Sequence, residues 1–176
     1  MSASRIVSAP RIMLNGLDEG IKVQISTTIT GAESPALVLE SVQNVFPDFT
    51  ADEFTEPEFG VSTNYHWINE QISLNNFLQM VHKQAILDTA LDVMSMKLEN
   101  QQTSFQLLRQ ASIANKIAFN LEQGSPLGGV INVELRGDNL VDWLEAATWH
   151  KGRDVVPKRI NDERKMEVDG EASTWI

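Results

Sequence analysis

The chain has 176 residues, with 24 aspartates and glutamates against 14 lysines and arginines, no cysteine, and a formal net charge of −10. The lack of cysteine excludes disulfides, thiolate metal sites and cysteine nucleophiles. No run of about 18 apolar residues spans a bilayer, and MSASRIVSAPRIMLNG holds no apolar core of a secretory signal, so a soluble cytoplasmic protein is expected.

A chain of this size supports one domain of about 150 residues. Residues 1–19 are expected to be a flexible N-terminal extension, 20–150 a single α+β domain, and 151–176 a charged tail that is partly disordered. In IKVQISTTIT, Ile21, Val23, Ile25, Thr27 and Ile29 alternate with polar neighbours, which predicts a half-buried strand. Ser34 and Pro35 then supply an N-cap and a first-turn proline, and Leu37, Val38, Val42 and Val45 follow at helical spacing up to Pro47. FTADEFTE and VSTNYHWIN, divided by Pro57 and Gly60, read as a hairpin.

From Ser73 to Glu99 neither proline nor glycine interrupts the chain, and one long helix capped by Ser73 is predicted. Its apolar stripe runs through Leu74, Phe77, Leu78, Val81 and Ala85, then Leu91 or Val93 with Met94 and Leu98. TSFQLL reads as a strand, RQASIANK as one or two helical turns, IAFNL as extended again, and VINVEL as a further strand after a glycine-containing turn. NLVDWLEAATW forms the last helix, with Asp138 expected at its N-cap. The expected architecture is a mixed or antiparallel sheet of about five or six strands covered on one face by helices, because the strands alternate rather than run continuously apolar. Trp67, Trp143 and Trp149 are expected in the core or at its rim.

Three features invite a chemical reading. Asp88 and Asp92 are four residues apart on one helix face, yet a general acid/base pair needs carboxylates in unlike environments and a metal site needs further converging ligands. His82 lies about 120° round the helix from Asp88, so a solvent-facing or capping role is expected for the two aspartates. The turn SPLGGV lacks the Gly-Lys-Ser/Thr ending of a phosphate loop and leads into a strand rather than a helix. His66, His82 and His150 stand in no metalloprotease or nucleophile-elbow context, and His150 is expected to act only at a helix C-terminus. No catalytic residue, metal ligand or cofactor is therefore assigned.

KQAILDTALDVM, TSFQLLRQASIANKIAFNL, SPLGGVINVEL and NLVDWLEAATWHKG together resemble an archaeal family of predicted RNA-binding proteins, whose fold is similar to the ribosomal protein that grips 5S ribosomal RNA. The resemblance covers about residues 20–152. It rests on Lys83-Gln84, Ile86-Leu87-Asp88-Thr89-Ala90, Gln110-Ala111, Lys116 and Pro126-Leu127-Gly128. Ala85 and Leu91 stand where that family usually has arginine, Leu108-Arg109 where it tends to have Asn-Lys, and Asn115 where it has glycine. The resemblance implies a non-enzymatic RNA binder, of structured or ribosomal RNA, in which Lys83, Arg109 and Lys116 meet phosphates while Gln84 and Gln110 reach sugar or base edges.

The charge distribution points to a second expectation. Residues 151–176 carry six basic and six acidic side chains, so the deficit lies in residues 1–150, and nine acids fall between Asp18 and Glu58. Such a field opposes phosphate and suits a basic protein partner docked on the Asp18–Glu58 region.

Overall fold

The structure, a computed structural model, describes residues 14–160; residues 1–13 and 161–176, which hold most of both expected terminal segments, lie outside the described residues. Alternation in IKVQISTTIT produces β1 (Ile21–Gly31), and Ser34 caps α1 (Pro35–Val45), its side chain accepting from the Leu37 N–H. β2 (Thr63–Glu70), α2 (Asn75–Lys83), α3 (Leu87–Ser95), β3 (Gln102–Leu108), α4 (Arg109–Ile113), β4 (Val130–Gly137), α5 (Leu140–Ala147) and α6 (Gly152–Val155) follow. The strands form one antiparallel sheet in the order β2-β1-β4-β3.

The sheet has four strands rather than five or six. FTADEFTE runs beside β2 as a loop. The Asn69 side chain there accepts from the Thr50 N–H and donates to the Thr50 carbonyl, both at 2.8 Å, so a side-chain amide replaces the backbone ladder. IAFNL contributes a single bridge, Phe119 to Leu107, flanked by Leu108 N–H to Ala118 O and Asn120 N–H to Gln106 O.

The long helix expected over Ser73–Glu99 is two helices. Ala85 takes a left-handed conformation (φ 57°), and the chain restarts at Leu87. The reason lies in the phase of the apolar residues. A stripe through Leu74, Leu78 and Val81 would carry Asp88 into the core one step of seven later, whereas Leu87, Ala90, Leu91, Val93 and Met94 are the apolar residues buried. Ser73 is one residue outside the N-cap, Leu74, and accepts from the Asn75 N–H; Asn139, not Asp138, precedes α5.

Ile21, Val23, Ile25, Ile29, Trp67, Phe105, Leu107, Ile131, Val133 and Leu135 share the buried side of the sheet with the helices' apolar faces. Trp143 is also buried and Trp149 sits at the rim. The opposite side is uncovered and polar, its side chains bonded across strands: Thr28 with His66, Gln24 and Gln102 with Glu134, and Gln106 with Asn132.

Candidate nucleic-acid interface

Two helix ends meet at the place where the sequence concentrates its candidate RNA contacts. α2 closes with the Ala85 N–H on the His82 carbonyl and the Ile86 N–H on the Val81 carbonyl, the paired bonds of a Schellman motif with Ala85 in the left-handed position. α4 closes in the same way, through Asn115 N–H to Ser112 O and Lys116 N–H to Ala111 O, with Asn115 at φ 57°. The usual glycine that Asn115 replaces is thus explained by backbone conformation, which asparagine tolerates better than most residues.

Gln84 joins the two ends. Its Oε1 accepts from the Ile117 N–H at 2.7 Å and its Nε2 donates to the Ile117 carbonyl at 3.0 Å. Gln84 is therefore a backbone clasp, with its amide turned to the protein rather than to a base edge. The clasp sets Lys83 and Lys116, each one residue before a clasped position, at one junction; both are exposed and neither forms an ion pair among the described residues. Gln110 is exposed on the first turn of α4, against Gly128, and His82 is exposed on the last turn of α2. Cations beside the carbonyl end of α2 are also favoured by its dipole, by about 0.3–1 kcal/mol each.

Arg109 is not part of this exposed group, which corrects the expectation of a phosphate contact. Only 4% of it is accessible. Its Nε donates to the Gly128 carbonyl (2.7 Å), its Nη1 to the Thr27 hydroxyl and the Thr28 carbonyl (both 3.0 Å), and its Nη2 to Glu33 (2.7 Å). β1 and β4 stop pairing beyond Ser26–Asn132, and the guanidinium fills the opening between Thr27–Thr28 and the Gly128–Gly129 turn. A Cβ on Gly129 would overlap the guanidinium, and one on Gly128 the Gln110 side chain. The glycine pair thus cradles an internal cation. The paired glycines were its one signal in the sequence.

Asp88 and Asp92 pin the C-terminal segment. Asp88 Oδ1 accepts from Arg153 Nε at 3.0 Å and lies 2.9 Å from His150 Nε2, while Asp92 accepts from Lys158 Nζ at 2.8 Å. Arg153 is buried and also donates to the Glu145 carbonyl and the Thr148 hydroxyl. Residues 151–160, expected to begin the tail, are largely exposed but anchored through Arg153, Lys158 and Ile160, and His150 holds Asp88 rather than merely facing a helix end. Burial lifts the Asp88 pKa, but the hydrogen bonds and charges of His150 and Arg153 outweigh it and hold the carboxyl below its usual value.

Several acids of the Asp18–Glu58 region are committed internally as well. Glu19 accepts from the Asn15 and Gly16 N–H groups and from Trp143 Nε1, Glu33 pairs with Arg109, and Glu56 accepts from Ser34 and the Ala36 N–H at the start of α1. Asp18, Glu40, Asp48, Asp52, Glu53 and Glu58 are exposed. Among the described residues no group of three or more histidines, aspartates and glutamates is placed to hold a metal ion, and no helix is long and apolar enough to cross a membrane.

The architecture defines a class: an α+β domain with a four-stranded antiparallel sheet, helices on one face and the other face open. Within it the chain is similar, in sequence and in fold, to UPF0201 proteins of archaea. A UPF0201 protein of Methanothermobacter thermautotrophicus is 29% identical over 126 residues, covering 70% of this chain and 89% of that protein. A UPF0200/UPF0201 protein of Archaeoglobus fulgidus is 28% identical over 109 residues, 62% of this chain but 31% of the relative's own length. Among solved structures, a UPF0201 protein superposes with a TM-score of 0.58 at 26% identity over 74% of this chain and 95% of that one. The UPF0201 protein from Methanococcus jannaschii gives 0.59 at 22% over 74% and 96%. No family model matches the chain.

Proposed function

We propose that the protein is a non-catalytic RNA-binding member of the UPF0201 group, with a fold related to the 5S-RNA-binding ribosomal protein, and that it holds structured RNA through the α2–α4 junction. One observation carries the reading: the Gln84–Ile117 clasp brings two exposed lysines, Lys83 and Lys116, to one place with Gln110 and His82 nearby. The lysines meet phosphates, and Gln110 supplies the amide that reaches sugar or base edges. Arg109 and Gln84 act behind this surface by fixing its backbone.

The net charge of −10 opposes RNA at long range, but at about 0.15 M salt fields are screened beyond roughly 8 Å, so local cations decide contact. Two phosphate contacts make the affinity modest. The test is filter retention of a structured RNA at about 50 mM salt, where phosphate contacts are strong. Wild-type protein is expected to retain the RNA, Lys83→Glu with Lys116→Glu to lose it, and Asp52→Lys with Glu53→Lys to keep it. No retention by the wild type, or equal retention by the lysine variant, would overturn the reading.

A further inference from the structure

β2 is an edge strand, and the loop beside it leaves an open depression lined by Ala51, Asp52, Glu53, Phe54, Thr55 and Tyr65. Its aromatic lining is built, not incidental. Phe54 and Tyr65 both pack on the buried Trp67, at ring-centroid distances of 5.4 and 6.1 Å, and the Tyr65 hydroxyl accepts from the Thr55 N–H. Asp52 and Glu53 are exposed at this lining and form no ion pair among the described residues. That separates them from Glu19, Glu33 and Glu56, which the fold itself uses.

Aromatic side chains next to two unpaired carboxylates suit one ligand chemistry, a cation on an apolar stem. The stem lies against the rings, the charge gains from the ring quadrupole, and the carboxylates supply the counter-charge. An anion is repelled here, so this is not a second RNA contact. The whole-chain charge of −10 favours the approach of the same kind of partner. We propose that the depression receives a lysine or arginine side chain from an extended basic segment of a protein partner. The site stands apart from the RNA reading in both residues and sign of charge. The neighbouring Phe59 and Val61, both exposed, offer further apolar contact to such a segment.

The test uses a dye-labelled peptide of alternating glycine and arginine, with its glutamine counterpart, in anisotropy titrations against the full chain. The arginine peptide is expected to bind and the glutamine peptide not. Asp52→Lys with Glu53→Lys is expected to weaken binding roughly tenfold more than Glu99→Lys with Glu122→Lys, which changes net charge equally at exposed positions elsewhere. Phe54→Leu, which keeps apolar bulk but removes the ring, is expected to weaken binding about threefold. Equal losses from the two double variants would reduce the effect to net charge and overturn the site. So would wild-type affinity in Phe54→Leu, or equal binding of the two peptides.

Discussion

By sequence, Lys83, Arg109 and Lys116 are alike candidates for phosphate contacts, and burial gives Arg109 the opposite role. A guanidinium can donate along several directions in one plane, and here it meets two carbonyls, a hydroxyl and a carboxylate at once. An ammonium cannot span that set. Arg109→Lys should therefore lower stability by about 2–4 kcal/mol, less than a fully buried pair because Glu33 is partly exposed. Shift of the urea midpoint measures it. A side chain's neighbours in space are what sequence spacing does not convey, so the partners Glu33 and Thr27, 76 and 82 residues away, were not legible.

Asp88 carries a pH prediction at the same scale. Its folded pKa lies below that of the unfolded chain, so its contribution is present above about pH 4 and is lost as pH falls through the depressed folded value, where the unfolded state takes up the proton first. Asp88→Asn should lower the urea midpoint at neutral pH and flatten its fall in acid. Parallel pH profiles for wild type and variant would show that the His150–Arg153 contacts do not hold the segment.

At the scale of elements, β1, β3 and β4 were legible because period-two alternation survives wherever one face is buried and the other is wet. α1 and α5 were legible from their apolar spacing, and α1 also from its cap. The break between α2 and α3 was harder, since no glycine or proline marks it. Its trace is the stripe that cannot choose between Leu91 and Val93 after Ala85, a slip of phase that only two separate helices resolve. FTADEFTE misled through β-propensity, which measures fit to a pleated surface and not the presence of a partner strand. The sign of one substitution tests the break. Ala85→Gly relieves a left-handed alanine, and thermal or urea unfolding should find the protein more stable by about 0.5–1 kcal/mol. In a continuous helix the same change costs about 1 kcal/mol.

At the scale of the whole molecule, charge is divided by use. Acids within Asp18–Glu58 brace α1, the Arg109 plug and Trp143, while others stay exposed at the loop beside β2. Arg153 and Lys158, near the C-terminal end of the described residues, serve the Asp88 and Asp92 contacts. The RNA contact proposed at the α2–α4 junction rests on a pair of lysines, and a count of two has a direct thermodynamic signature. Each phosphate neutralised contributes about −0.9 to the slope of log K against log salt on a duplex and about −0.7 on a single strand. The most direct measurement is that slope for a structured RNA, taken with the wild type and with Lys116→Gln. The proposal predicts a wild-type slope between about −1.4 and −1.8, reduced by roughly one half in the variant. A slope that Lys116→Gln leaves unchanged would contradict RNA binding at this junction.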